Sequence, residues 1–218
     1  MKRFLLSFLV ALLGTIPLFA QDSTDAKAQQ LAKDLWKASG GESWAKAKAL
    51  DFTFIVEDGG KQLASVQHHW DVAAGTDQVK WKGKDVTVNL AAPAQDEDGK
   101  AAYARWVNDS YWLLAPLKVL DAGVTRTYEG VKESDGAQCE MLRLSFAQVG
   151  LTPGDQYVLY VDPQTKLLRA WDYIPKPETT IHGTWEKYVP SGGLQLATEH
   201  NFGGKMIRFA DVKVTTAQ

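Results

Sequence analysis

The sequence predicts a mainly β fold with added helices, in which about eleven strands form one antiparallel, meandering sheet. Three observations lead to this fold class. Short stretches that alternate apolar and polar residues recur after residue 48, and turn sequences separate them. One segment near the N-terminus and one in the middle of the chain follow helical spacing instead, which places two helical segments on one face of the sheet. No repeat, linker or low-complexity segment divides the chain, so residues 21–218 are predicted to form a single domain.

The first 20 residues have the pattern of a cleavable secretory signal. Lys2 and Arg3 precede an apolar run from Phe4 to Ile16, Pro17 interrupts it, and Ala20 precedes the expected cut. A membrane anchor is the alternative, but the run is shorter than the roughly 18 residues that a spanning helix needs. The protein is therefore expected in the periplasm or outside the cell.

The remaining chain is mildly acidic and rich in aromatic side chains. The whole sequence has a net charge of -2, and removal of the two basic residues of the signal leaves 22 basic against 26 acidic residues, or -4. Nucleic acid is therefore an improbable partner, because it requires a basic surface. Cys139 is the only cysteine, so the fold has no intramolecular disulfide and must depend on its core.

The first element is a helix from Ser23 to Ser39. Ser23 or Thr24 is expected to cap it, and Gly40 and Gly41 are expected to end it. Four strands follow, separated by Gly-rich or polar turns: 50–57, 61–72, 77–83 and 85–91. Seven more follow the mid-chain segment: 124–131, 137–146, 156–162, 166–174, 180–189, 194–202 and 205–214.

The mid-chain segment, Asp96 to Leu120, is the densest aromatic stretch after the signal. Tyr103, Trp106, Tyr111 and Leu114 fall on one face of a helix, which must therefore cover the sheet. The acidic run Asp96-Glu97-Asp98 suits a helix N-terminus because it complements the macrodipole.

Two details of this helix are less regular. Arg105, Asn108 and Asp109 fall on the side away from the aromatic face, which predicts a solvent-facing position for them. Trp112 falls on the same polar side, and the run from Asn108 to Ser110 suits a helix cap. We therefore predict a break there, followed by a separate short turn from Tyr111 to Ala115. In an unbroken helix, Trp112 should be largely exposed.

Little in the sequence indicates catalysis or a cofactor. His69 and Asp71 share a strand face, and a metal-dependent hydrolase could recruit a third ligand from His182, Glu186 or His200. Recognisable zinc-ligand spacing is missing, so exposed strand residues are the simpler interpretation. No nucleophile elbow or glycine-rich phosphate loop is present. Cys139 lies among apolar strand residues and is interpreted as a buried, inert thiol. The prediction is a non-enzymatic protein without a cofactor.

The aromatic surplus indicates an apolar pocket between the sheet and its helical cover. The nine predicted lining residues lie on the mid-chain helix and on several strands: Trp70, Trp81, Tyr103, Trp106, Tyr111, Leu114, Trp171, Tyr173 and Trp185. The alternative is that these side chains simply fill a packed core. A further small patch, Lys80 to Lys84, could contact a lipid headgroup or an acidic partner, or its lysines could instead protect a sheet edge.

Two segments, Trp106–Leu120 and Tyr157–Trp171, together with the order of elements, resemble the LolA/LolB-like superfamily of periplasmic lipoprotein carriers. The resemblance implies an unclosed barrel whose concave face is covered by the two helical segments as a lid. It also implies a cavity that takes the acyl chains of lipoproteins. The family's lid-holding arginine corresponds here to Lys80, within Val79-Lys80-Trp81.

These observations together predict a monomeric, periplasmic or secreted binding protein. Its ligand would be a lipid or the acyl chain of a lipoprotein, and its partners a lipid or an acylated protein, with transient contact to a membrane or a membrane protein. The alternatives are a structural or protein-interaction module with a packed core and, less favoured, the hydrolase that uses His69 and Asp71.

Overall fold

The computed structural model describes residues 19–146, 151–152 and 154–217. The predicted signal, except for its last two residues, lies outside the described part. Three helices are present: α1 (Phe19–Ala38), α2 (Gly41–Trp44) and α3 (Glu97–Lys118). None of the helices in the described ranges is both long enough and apolar enough to cross a membrane.

Twelve strands make up the rest of the fold. The first six are β1 (Ala47–Asp58), β2 (Lys61–Asp71), β3 (Thr76–Trp81), β4 (Lys84–Asn89), β5 (Val124–Ser134) and β6 (Ala137–Phe146). The last six are β7 (Gln156–Val161), β8 (Leu168–Lys176), β9 (Thr179–Thr184), β10 (Glu186–Ser191), β11 (Leu194–Phe202) and β12 (Lys205–Thr216).

All strand pairs are antiparallel and belong to one open sheet. Its order is β4-β3-β2-β1-β12-β11-β9-β8-β7-β6-β5, and β10 pairs beside this path with β11. The first four strands and the last eight form two meanders, which β1 and β12 join from Ala47 opposite Thr216 to Glu57 opposite Met206. The predicted α+β class with about eleven meandering antiparallel strands in an unclosed sheet is confirmed.

Most strand boundaries lie within three residues of the prediction, and two differences are larger. Helix α1 begins at Phe19 rather than Ser23. The strand predicted over 180–189 is two strands, β9 and β10, separated at Trp185. The amide of Trp185 donates to the carbonyl of Arg169 over 2.7 Å, and only 3% of this residue is exposed. Because the chain turns its largest side chain into the core at this point, the alternation of the strand is interrupted.

Helix α1 packs along β5 and α3 through the predicted face, and Leu31, Ala32 and Leu35 are buried. Its end is fixed against the start of β11. The amide of Gln195 donates to the carbonyl of Ser39 over 3.1 Å. Gly40 has a φ of +91°, and a Cβ added there would lie 2.4 Å from the carbonyl oxygen of Gly193. Only glycine satisfies both the backbone conformation and the close approach.

Helix α3 is continuous, so the predicted break at Asn108 to Ser110 is wrong. The Asp96 side chain caps the helix by accepting from the amide of Gly99 over 2.8 Å, as the acidic run suggested. The conditional expectation that Trp112 would be exposed in an unbroken helix is also wrong, since only 8% of it is exposed. The ring of Trp112 packs on Trp171 and Phe202 at centroid distances of 4.5 and 4.7 Å. The curved sheet therefore surrounds the second half of α3 on more than one side.

Candidate ligand-binding site

A cavity of about 300 Å³ lies between the second half of α3 and the concave face of the sheet. It is enclosed by α3, by the ends of β6 and β11, by β7 and β8, and by the segment before β7. The lining residues are Val107, Asn108, Tyr111, Trp112, Phe146, Leu151, Thr152, Asp155, Tyr157, Trp171, Tyr173 and Phe202.

Aromatic rings form most of the cavity wall, and Trp171 is at their centre. Tyr111 stacks on Trp171 with centroids 5.8 Å apart and an interplanar angle of 23°. Tyr157 approaches the same indole at 4.8 Å, and Tyr173 packs on Tyr157 at 5.1 Å. Trp171 and Tyr173 share a face of β8 because they are two residues apart, and Tyr157 pairs directly with Tyr173 across β7 and β8.

The cavity also has a few polar groups. Asp155 is 8% exposed, and it accepts a hydrogen bond from the hydroxyl of Tyr173 over 2.8 Å. Among the described atoms, the Tyr111 hydroxyl and the Trp171 Nε1 are buried without a hydrogen-bond partner. Burial raises the pKa of Tyr111 well above 10, and burial with the Asp155 contact raises the pKa of Tyr173 to about 12. The phenols are therefore neutral donors at physiological pH.

Three of the nine predicted lining residues, Tyr111, Trp171 and Tyr173, meet at this cavity. Leu114 and Trp185 lie in the core beside it, 1% and 3% exposed.

The other four predicted residues lie towards the start of α3. Trp70 contacts Trp106 edge to face at 5.2 Å, and Tyr103 packs on Trp106 at 5.6 Å. The ring of Trp81 lies under the guanidinium of Arg105, 5.0 Å away. The aromatic surplus is thus divided between a packed cluster and a cavity.

The sequence reasoning missed most of the remaining wall. Trp112 was assigned to the polar side of its helix, and Phe146, Tyr157 and Phe202 were read only as strand residues. Asp155 lies between two predicted strands, in a segment whose sequence predicted neither a helix nor a strand. One signal was available for Tyr157, because it is the first large side chain of its strand and aromatic residues two apart occur on the neighbouring strand.

A buried ionic cluster joins the middle of α3 to the sheet. His68 Nδ1 lies 2.7 Å from Asp77 Oδ2, and its Nε2 lies 3.1 Å from Asp109 Oδ2. His68, Asp77 and Asp109 are 4%, 0% and 3% exposed, and the imidazole stacks on Phe52 at 4.4 Å. The prediction that Asp109 faces solvent is therefore wrong.

The two carboxylates favour the charged form of the imidazole. Burial alone would lower the pKa of His68, but its hydrogen bonds to Asp109 and Asp77 and their negative charge outweigh burial, so the pKa is raised above 6.5. A protonated ring can donate from both nitrogens at once, whereas a neutral ring donates from one. The proton on His68 is thus what connects α3 to both β2 and β3.

The residues considered for a metal site are separated. His69 contacts Asp51, and the carboxylate of Asp71 accepts from the amide of Ala74 over 2.8 Å. His182 lies between Asp172 and Asp135. His200 is buried, with its Nδ1 3.0 Å from the carbonyl of Thr184. Within the described ranges, no group of three or more His, Cys, Asp or Glu side chains could hold a metal ion.

The remaining candidates are engaged in local contacts. In the basic patch, Lys80 pairs with Asp85 and Lys84 pairs with Asp98. Cys139 is fully buried, and burial raises the pKa of its thiol. Both features agree with the structural interpretations of these residues.

Comparison with known proteins gives a fold relationship only. Neither protein families nor curated proteins match the sequence. Among solved structures, a DUF1329 family protein from Desulfovibrio piger aligns with a TM-score of 0.53 and 12% identity over 89% of this chain and 95% of that one. A LolA superfamily protein from Nitrosomonas europaea aligns with a TM-score of 0.51 and 9% identity over 88% of this chain and 94% of that one. The protein therefore has a LolA-like fold.

Proposed function

We propose that the protein is a non-enzymatic binding protein, acting outside the cytoplasm, that holds an apolar ligand between α3 and the sheet. The observation that carries the proposal is the aromatic-walled cavity around Trp171. Its ligand would be a lipid or the acyl chain of a lipoprotein. The LolA-like fold supports this class of ligand, since one fold relative is described as a LolA superfamily protein. The predicted secretory signal supports the location.

The cavity size limits the ligand to one chain or one small ring system. A volume of about 300 Å³ is at the lower end of the range found for small-molecule sites. Burial of about 200 Å² of apolar ligand surface would contribute about 5 kcal/mol, and the loss of translational and rotational freedom opposes this gain. Binding of a single alkyl chain is therefore favourable but moderate in strength, which suits a carrier that must release its ligand.

Helix α3 is the element whose movement would widen the cavity for a ligand. It contributes Val107, Asn108, Tyr111 and Trp112 to one side of the cavity, and the sheet contributes the other. Release would follow transient contact with a membrane, a membrane protein or an acylated partner. The protein is expected to act as a monomer.

A packed interaction module remains the second candidate function, and one observation favours it. Trp44, Trp70 and Trp106 contact one another in sequence edge to face, and Tyr103 packs on Trp106, with neighbouring centroids 5.2 to 5.6 Å apart. None of these four residues lines the cavity. The experiment must therefore address the cavity alone.

Two tryptophan substitutions on α3 separate these candidates. Val107→Trp fills the cavity from its helix side, whereas Ala104→Trp adds the same ring three residues earlier at an exposed position. Binding of 1-octanol is measured by isothermal titration calorimetry, and co-purified lipid is measured by native mass spectrometry. We expect Val107→Trp to weaken binding at least tenfold and Ala104→Trp to leave it unchanged. Failure of the unmodified protein to bind octanol, or equal binding by both variants, would refute the proposal.

A further inference from the structure

The charge of the cavity wall points to one class of ligand. Among the twelve lining residues, Asp155 is the only one with a charged side chain, and none is Lys, Arg or His. The neighbouring segments outside the described ranges, Ala147 to Gly150 and Pro153, carry no ionisable side chain in sequence. Of the basic residues on the strands beside Asp155, Arg143 pairs with Val158, whose side chain points away from the cavity side of β7 that Tyr157 occupies, and Lys176 at the end of β8 is exposed.

Asp155 itself is a buried carboxylate with few partners. It is 8% exposed, its side chain accepts one hydrogen bond from Tyr173, and no ion pair involves it among the described side chains. A carboxylate can accept about four hydrogen bonds, and buried charges in proteins are normally paired. The cavity therefore presents a carboxylate whose positive partner is not supplied by the described part of the chain.

The aromatic wall also favours a positively charged ligand. Seven lining residues are aromatic: Tyr111, Trp112, Phe146, Tyr157, Trp171, Tyr173 and Phe202. The faces of such rings are negative and attract a cation placed within about 6 Å of the centroid. An anionic head group would meet both these faces and Asp155 without a compensating donor of positive charge. The phenols do not change this balance, because they are neutral.

We propose that the cavity selects a ligand with a positive charge, an ammonium group on an apolar chain, and that Asp155 is its counterion. This proposal rests on the proposed function, because it names the ligand class of the same site. The alkyl chain would lie against Trp171 and Tyr111, and the ammonium group would lie beside Asp155 and Tyr173. A carrier of free fatty acids would require the opposite charge in this position.

The test is a series of ligands that share a chain and differ in charge. Octyltrimethylammonium, 1-octanol and octanoate are titrated into the full-length protein at pH 7, below their micelle concentrations. We expect the ammonium compound to bind at least tenfold more tightly than octanoate, with octanol between them. Asp155→Asn keeps an acceptor for Tyr173 but removes the charge, so the difference in affinity between the ammonium compound and octanoate should fall below threefold. Asp58→Asn, which removes an exposed carboxylate at the β1–β2 turn, should leave it unchanged.

A second variant tests the charge preference of the cavity if Asp155→Asn does not fold. Leu151 lines the cavity and is 52% exposed, so Leu151→Lys can place a positive charge at the cavity entrance without disturbing the core. This variant should favour octanoate over the ammonium compound relative to Leu151→Gln. Equal binding of all three ligands, or tighter binding of octanoate, overturns the charge proposal and leaves the proposed function intact. Binding of none of them overturns the proposed function itself.

Discussion

The carboxylate of Asp109 is the most informative single group to remove. It projects from the middle of α3 into the core, where it accepts from His68 Nε2 over 3.1 Å and from the side-chain Nδ2 of Asn108 over 2.8 Å. The other imidazole nitrogen is bonded to Asp77. Asp109→Ala therefore removes one of two partners of a buried imidazolium, whereas Asp109→Asn removes the charge but keeps an acceptor of similar shape.

The expected magnitude follows from the burial of the cluster. Removal of one partner of a buried ion pair costs about 3–5 kcal/mol when the other charge stays buried. Here His68 can lose its proton and keep a single bond to Asp77, which limits the loss. We expect Asp109→Ala to reduce the free energy of unfolding by about 3 kcal/mol, and Asp109→Asn by about 1–2 kcal/mol.

The pH dependence of the free energy of unfolding shows whether the loss of stability comes from the charge of His68. The pKa of His68 is raised on folding, so its protonation contributes stability that is fully present below pH 6.5. That contribution is lost as the pH rises through the folded pKa, with a slope of at most about 1.4 kcal/mol per pH unit for one proton. Asp109→Asn removes one of the two carboxylates that raise the pKa, so the slope above pH 6.5 should become smaller.

Urea unfolding between pH 5.5 and 9 measures both quantities. Burial lowers the pKa of His182, but the hydrogen bonds and charges of Asp172 and Asp135 together outweigh burial and raise this pKa as well, so the series is carried out in a His182→Gln background. Asp51→Asn is the matched control, because it removes the partner of His69 at the surface, where an ion pair contributes at most about 1 kcal/mol. The reasoning is refuted if Asp109→Ala costs no more than this control, or if Asp109→Asn leaves the alkaline slope unchanged.

Two further predictions concern other parts of the fold. Burial lowers the pKa of His200 to about 4, so the free energy of unfolding should decrease as the pH falls from 6.5 towards 4. In urea unfolding, His200→Phe should make this decrease smaller. An unchanged decrease would show that other groups cause it. Gly40→Ala meets both the positive φ and the Gly193 carbonyl and should cost more than about 1 kcal/mol, whereas Gly59→Ala, with a φ of +54° but open space, should cost about 1 kcal/mol or less. Equal melting temperatures for the two glycine variants would show that the contact beside α1 is unimportant.

Local patterns were sufficient to predict the sheet, because its hairpins are separated by turn residues whose conformation is encoded locally. Gly59 and Gly60 between β1 and β2, for example, both adopt positive φ in the structure, as the sequence Asp58-Gly59-Gly60 suggests. Trp185 was missed for the opposite reason. The residues on either side of it alternate regularly, and only the tertiary position of the indole beside Trp171 and His200 explains why the strand is interrupted there.

The register of β7 and β8 shows why the full wall of the cavity could not be predicted. A two-residue turn at Pro163-Gln164 would pair Tyr157 with Ala170 and place Tyr157 and Tyr173 on opposite faces. The actual loop is longer, with the Asp162 amide bonded to the carbonyl of Leu167. The loop places Val161 opposite Leu168, and a register shift between Tyr160 and Val161 moves the pairing by one further residue, so that Tyr157 pairs with Tyr173. A longer turn and one irregularity in the strand thus bring the two tyrosines together.

Helix α3 was misread because helical periodicity assumes a core on one side only. The sheet instead curves around the helix, so Asp109 and Trp112, on the supposed solvent side, contact the far parts of the same sheet. Asp109 and Tyr111 are two residues apart on one continuous helix, so a rigid-body shift of α3 would move the ionic cluster and the cavity wall together. A motion of α3 that widens the cavity must therefore either bend the helix after Asp109 or break the His68 contact. Pro116, inside the last turn, leaves one backbone carbonyl without its helical donor. The end of α3 beyond the cluster is therefore the part of the cover that can yield at least cost.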